Sequence, residues 1–166
     1  MLYTAQLDLK YPLAIRYPRG RGIRVDWKQE FIELEIGKGE LLSEGTELAV
    51  ISAGTIAENV KQAIASVSAT GKVAHYDAGF IKPLDEAMLH DIFSKFKKIV
   101  SVEEGALSGG FGSAILEFAA KNNYSNRIKC LGIPDQFIEQ GSMAELYEIV
   151  ELDVQSIANT IKSLLK

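Results

Sequence analysis

Leu48-Ala49-Val50-Ile51-Ser52-Ala53-Gly54-Thr55-Ile56-Ala57-Glu58 is the stretch on which the fold turns. The unbroken apolar run Leu48 to Ser52 reads as a strand buried on both faces, and Thr55 to Glu58 has the spacing of a capping box that opens a helix. Ile56, Val60, Ala63, Ile64 and Val67 then fall on one helical face. The same alternation continues downstream. Val73 to Asp77 reads as a strand, and Asp85 caps a helix whose buried stripe is Leu89, Ile92, Phe93 and Phe96. Lys98 to Glu103 is a strand, Phe111 to Asn122 a helix and Arg127 to Ile133 a strand. Strands separated by helices of this length predict an α/β fold: three layers, with a doubly wound, mostly parallel sheet between helices on both faces. Ser142-Met143-Ala144-Glu145 repeats the capping-box spacing, and Val154, Ile157, Ala158, Ile161, Leu164 and Leu165 give the last helix one apolar face, with Lys162 and Lys166 near its negative end.

The region before Glu47 has a different texture. Gly22 to Glu30 is polar around Trp27, while Phe31 to Ile36, Gly37-Lys38-Gly39 and Glu40 to Leu42 suggest strand, turn and short strand. We read residues 21–46 as a connector and 47–166 as the compact domain. Residues 1–20 hold one helix end and one strand candidate, Leu13 to Tyr17, which cannot make a core alone. At 166 residues, 47% apolar, the chain is long enough for one domain with a substantial core plus a short appendage.

The formal charge of −4 gives no general attraction to nucleic acid or to an anionic membrane, so any anion site must be local. No apolar run approaches the ~20 residues of a membrane span, and the first residues lack a signal-peptide pattern. The single cysteine, Cys130, lies in the apolar run Ile128 to Ile133 and reads as a buried structural thiol in a reducing, cytoplasmic setting.

Four places invite a functional reading. Ala14-Ile15-Arg16-Tyr17-Pro18-Arg19-Gly20 sets two guanidinium forks around a proline, which suits a phosphate, although on composition alone surface charge beside a strand explains the pair slightly better. Gly105 to Ser113 joins a strand to a helix, where free N–H groups can receive an anion. The dinucleotide fingerprint fails there because Ile115 stands at the third glycine position, and Glu103 and Glu104 bring negative charge to the loop entrance. A tight structural or interface turn is the better reading. In Asp77 to Asp85, Asp77 and Lys82 are possible polar contacts, but Pro83 and Asp85 account for the segment as a loop that ends in a helix cap. His75 and His90 stand in no metal-ligand spacing and have no visible catalytic partner, and no Gly-x-Ser-x-Gly elbow occurs. Neither a catalytic residue, a cofactor ligand nor a metal ligand is assigned within this chain.

Taken in order, Ala14 to Gly20, Ile36 to Glu40, Phe80 to Asp85, Val102 to Gly105, Gly109 to Ser113 and Leu131 to Asp135 resemble the carboxyl-terminal part of the 1-deoxy-D-xylulose-5-phosphate synthase family. The resemblance covers nearly the whole chain. It implies that Met1 to Arg19 ends a pyrimidine-binding domain and that 47–166 is a transketolase-type carboxyl-terminal domain. It also implies a transferase of isoprenoid synthesis that joins pyruvate to glyceraldehyde 3-phosphate with decarboxylation, as a homodimer using thiamin diphosphate and magnesium. The family's Gly-Asp-Gly metal motif does not occur here, so no cofactor is expected on this part, which would be inactive alone and serve architecture and dimerisation. Within the family's Arg-Tyr-Pro-Arg-Gly motif the resemblance makes Arg19 the holder of the substrate phosphate, with Arg16 the alternative. Gly79 stands where the family usually has arginine. The competing readings are the matching domain of transketolase or of a 2-oxo acid dehydrogenase β subunit, and a free-standing α/β interaction module.

Overall fold

The computed structural model describes residues 1–7, 10–17, 28, 30–67, 69 and 71–166. A short helix α1 (Leu2–Ala5) is followed by strands β1 (Glu40–Ser43) and β2 (Gly45–Ala53), helix α2 (Ala57–Ser66), β3 (Gly71–Asp77), α3 (Glu86–Lys95), β4 (Lys98–Ala106), α4 (Phe111–Lys121), β5 (Arg127–Ile133), α5 (Met143–Ile149) and α6 (Val154–Leu165). The strands form one five-stranded sheet in the order β1-β3-β2-β4-β5. β2 runs parallel to β3 and β4, and β4 parallel to β5; only the edge strand β1, within the stretch read as connector, is antiparallel.

β2 occupies the centre because it is apolar on both faces: Leu48 to Ile51 are fully buried. One face of the sheet packs Leu48 and Val50 with Val60, Ala63 and Ile64 of α2 and Ile157, Ala158 and Ile161 of α6. The other packs Ala49 and Ile51 with Leu89, Ile92 and Phe93 of α3 and Phe111, Ile115 and Phe118 of α4. This is the three-layer arrangement the alternating pattern predicts. Each fully buried Leu or Ile contributes about 1.5–3 kcal/mol relative to an exposed one, so these two layers are where the stability lies.

Local chemistry sets the helix ends. Asp85 accepts from Met88 N at 3.0 Å, Asp153 from Gln155 N and Ser156 N, and Ser142 and Glu145 complete a reciprocal capping box. At the other end of α6, Lys98 donates its ammonium to Leu164 O, a cation on the orphan carbonyls that sequence reasoning did not find.

Four local expectations are corrected. Leu13 to Tyr17 and Phe31 to Ile36 form no strand; the latter segment instead docks on α1, with Leu34 N donating to Thr4 Oγ1 at 2.9 Å and Phe31 stacked on Tyr3. Apolar alternation makes a strand only where an edge is free to pair, and β1 already occupies that edge of the sheet. The capping box at Thr55 is absent: Ile56 is the N-cap of α2 without a side-chain hydrogen bond, and the Thr55 hydroxyl is engaged elsewhere. Cys130 is only half-buried, because β5 is an edge strand.

Candidate functional site

In an open α/β sheet the ligand crevice lies at the carboxyl ends of the two neighbouring strands whose connections leave in opposite directions. Here those strands are β2 and β4. The chain leaves β2 through α2 on one face toward β3, and leaves β4 through α4 on the other face toward β5. The crevice is therefore framed by residues 54–56 and by the loop 105–110.

The structure fills this crevice with the chain's own acidic groups. Glu103, only 3% exposed, turns its carboxylate to the start of α4, where Phe111 N donates to Oε2 at 2.8 Å and Gly112 N to Oε1 at 2.7 Å. Two of the free N–H groups at that helix end thus hold an internal anion, in the position an external phosphate would need. Gly110 makes this possible, since a side chain there would run into Ala106 O and lie 2.5 Å from Glu103 Oε2. The loop is closed by Ser113, whose hydroxyl donates to Leu107 O at 2.8 Å and accepts from Gly109 N at 2.9 Å. Of the two sequence readings of Gly105 to Ser113, the tight structural turn is the one its geometry matches.

Glu104, the next residue along β4, points to the opposite face, as strand geometry requires. Its carboxylate crosses the crevice: Thr55 Oγ1 donates to Oε2 at 2.6 Å, and Tyr147 Oη, from α5, donates to Oε1 at 2.6 Å. Burial, then the hydrogen bond and charge of Glu104, push the Tyr147 phenol well above its ordinary range, so it remains a donor. The backbone carbonyl of Glu104 accepts from Arg16 Nη2 at 2.5 Å. That bond brings Arg16 to the crevice from 88 residues away. A side chain on Gly105 would collide with Glu103 Oε2, so glycine leaves room for that carboxylate. Arg19, together with Pro18 and Gly20 of the same motif, lies outside the described residues.

The remaining sequence candidates have structural occupations. Asp77 Oδ1 accepts from Gly79 N at 3.0 Å. Gly79 has φ +62°, and a Cβ there would sit 2.6 Å from Lys38 O, so this backbone has no place for an arginine side chain. Lys82 is exposed. Asp85 also accepts from Gly39 N at 3.2 Å and faces Lys38 Nζ at 3.7 Å. Burial raises its carboxyl, but Met88 N–H, Gly39 N–H and the Lys38 ammonium together hold it below the usual aspartate range. His75 is buried in β3, its Nε2 2.9 Å from Ser52 Oγ, and burial lowers its pKa to about 4. His90 Nδ1 lies 2.7 Å from Tyr124 Oη, with its ring against Phe118. Among the described residues no group of three or more His, Cys, Asp or Glu could hold a metal ion. No helix among them is long and apolar enough to cross a membrane.

Comparison with known proteins places this geometry. The profile of the transketolase carboxyl-terminal domain matches residues 37–157. The chain is 53% identical over 165 residues to a 1-deoxy-D-xylulose-5-phosphate synthase of Phocaeicola vulgatus, covering 98% of this chain and 26% of that protein. It is 49% identical to the synthase of Cytophaga hutchinsonii, covering 99% of this chain and again 26% of the relative. It thus spans about a quarter of the length of the curated relatives it matches. Among solved structures, a split-gene transketolase described as an inactive β4 tetramer superposes with a TM-score of 0.73 at 24% identity, over 81% of this chain and 44% of that one. Transketolase of Campylobacter jejuni superposes with a TM-score of 0.55 at 17% identity, over 76% and 18% respectively. At those identities the likeness speaks for the fold alone. With the sheet order, the two helical layers and the family match in agreement, the chain belongs to the transketolase carboxyl-terminal domain family, in the form carried by 1-deoxy-D-xylulose-5-phosphate synthases.

Proposed function

We propose that this chain works as the carboxyl-terminal part of a thiamin-dependent 1-deoxy-D-xylulose-5-phosphate synthase. That enzyme condenses pyruvate with glyceraldehyde 3-phosphate, with loss of carbon dioxide, for non-mevalonate isoprenoid synthesis. The observation that carries the reading is about one-half identity to such synthases along nearly the entire chain. In this reading residues 1–20 close the pyrimidine-binding domain, 21–46 connect, and 47–166 form the carboxyl-terminal domain. The assembled enzyme is a cytoplasmic homodimer.

Thiamin diphosphate with magnesium supplies the carbanion chemistry in such an enzyme. The residues of this chain do not fit that group: Glu103 occupies the helix end that a diphosphate would use, and the sequence contains no Gly-Asp-Gly motif. We therefore assign the cofactor to the remaining three quarters of the full-length protein and to this chain a supporting, dimer-forming role, without turnover of its own.

Arg19 is the residue of this chain assigned to the substrate, its guanidinium pairing with the phosphate of glyceraldehyde 3-phosphate. In the full-length enzyme Arg19→Ala should raise KM for glyceraldehyde 3-phosphate by roughly 10- to 100-fold, the loss of one charge-assisted contact, while KM for pyruvate stays within about twofold. Equal increases for both substrates, or none, refute the assignment.

A further inference from the structure

One edge of the sheet is incompletely covered. On the face where α2 and α6 pack, α2 lies over the central strand, with Val60, Ala63 and Ile64 against Leu48 and Val50. The edge pair β3 and β1 keeps only the outer flank of that helix beside it, and every residue of β1 is exposed. A groove of about 460 Å³ remains between that flank and the edge strands, walled by Leu42 of β1, Ile64 and Ala65 of α2, and Val73 of β3. We propose that this groove is a binding site for a small apolar amine, whose ammonium donates a hydrogen bond to His75. This site stands apart from the crevice and from any role in a synthase.

The argument for a donor begins at His75, which lines the groove although it is only 2% exposed. Its Nε2 lies 2.9 Å from Ser52 Oγ, and that hydroxyl gives its one hydrogen to Tyr76 O at 3.2 Å. The serine oxygen therefore accepts from Nε2–H, which makes Nδ1 the nitrogen with the free lone pair. Burial, which lowers the pKa of the ring to about 4, keeps that lone pair available at neutral pH. Nδ1 has no hydrogen-bond partner among the described residues. A buried acceptor without a donor calls for one, and the groove is where it can enter. The charges on the lining select its kind. Glu44 and Glu58 stand against Lys61 alone, so the groove favours a cation over an anion. The walls select the rest of the molecule: Leu42 is 45% exposed, and an apolar body would cover it.

Benzylamine serves as the probe, titrated at neutral pH into the ¹⁵N-labelled 166-residue chain and followed by two-dimensional NMR. Saturable shifts should centre on Leu42, Lys61, Ala65 and Val73, with a dissociation constant on the order of millimolar for so small a ligand. The Nδ1 resonance of His75 should move along the same titration curve. Benzoate, of similar shape and opposite charge, should bind at least about tenfold more weakly. Glu44→Gln combined with Glu58→Gln should weaken benzylamine about three- to tenfold and leave neutral benzyl alcohol, the weaker ligand of the two, within about twofold. Ala65→Trp fills the groove from an exposed position on α2 and should abolish the shifts in a folded chain. His75→Phe keeps a ring and removes the acceptor, and should weaken binding about fivefold or more. The proposal is overturned by any of four results: no saturable shift at the groove; benzoate or benzyl alcohol binding as tightly as benzylamine; shifts that survive Ala65→Trp; or a stationary Nδ1 resonance. Unchanged affinity in His75→Phe also overturns it, and should that variant fail to fold, the Nδ1 resonance of the parent and Ala65→Trp still decide.

Discussion

Glu103→Ala is the substitution with the clearest physical consequence. It removes a carboxylate that is 3% exposed and accepts two backbone N–H bonds, at 2.8 and 2.7 Å, from the first turn of α4. Hydrogen bonds to a charged group are worth about 1.5–3 kcal/mol each. The carboxylate also meets the positive end of a helix dipole, worth up to about 2 kcal/mol in a partly buried setting. Because its two donors would be left in a buried turn, with only small recovery from water entering the vacated space, we expect a loss of about 3–5 kcal/mol. Against a typical stability of about 5–15 kcal/mol that is a large fraction. For a chain of this length it corresponds to a fall in Tm of about 6–20 °C. Glu103→Gln keeps an acceptor for one N–H but presents an amide to the other, so it should lose about 2–3 kcal/mol. Urea unfolding followed by far-ultraviolet circular dichroism measures both. Glu117→Gln, on the exposed side of α4, serves as the control and should stay within about 0.5 kcal/mol. Added formate, a small carboxylate that fits the vacated N–H pair, should recover part of the Glu103→Ala loss. A loss below about 1 kcal/mol, or one no larger than the control's, would mean that the carboxylate does not hold the helix end and that the crevice is open to other anions.

Two further perturbations follow from the same contacts. The His75 imidazole has its pKa lowered by burial to about 4 from the ordinary value of 6.5, so the unfolded chain takes up the proton first as the pH falls. Stability should be complete above pH 6.5 and decline by about 3 kcal/mol down to pH 4; urea midpoints across that range should show the slope in the parent and lose it in His75→Gln, and an unchanged slope refutes the account. Asp85, Asp153 and Glu145 are shifted downward, so what they contribute is present above the ordinary carboxylate range and is lost as the pH falls through their lowered values. Asp85→Ala removes both the cap on α3 and the acceptor for Gly39 N. It should cost about 2–3 kcal/mol in the same urea assay, with Asp85→Asn recovering about half; equality of the two variants would show that the charge contributes nothing.

The strand and helix pattern was legible because it is local. Leu48 to Ser52 has the length and apolar composition of a strand buried on both faces, which it is, and Asp85 and Ser142 cap the helices their spacing announces. Where local signals competed, packing decided. Thr55 has the composition of a helix cap, yet its hydroxyl is drawn to the Glu104 carboxylate 49 residues away, which a charge-assisted bond makes the stronger acceptor. Phe31 to Ile36 has the composition of a strand, but no strand forms there and the segment lies against α1 instead.

The sequence alone therefore determined the α/β class, the order of elements from β2 onward and, through its ordered motifs, the family, since each of these is written in neighbouring residues. It also showed two glutamates beside a glycine-rich loop, without saying what they do. Only the tertiary structure decided that Glu103 fills the start of α4 while Glu104 turns across the crevice to Thr55 and Tyr147. The reason is that successive residues of β4 face opposite layers of the sheet, and what waits in each layer comes from distant parts of the chain. Arg16 is the extreme case. Its guanidinium donates to the Glu104 carbonyl, 88 residues away, a contact that no local pattern in the sequence could show.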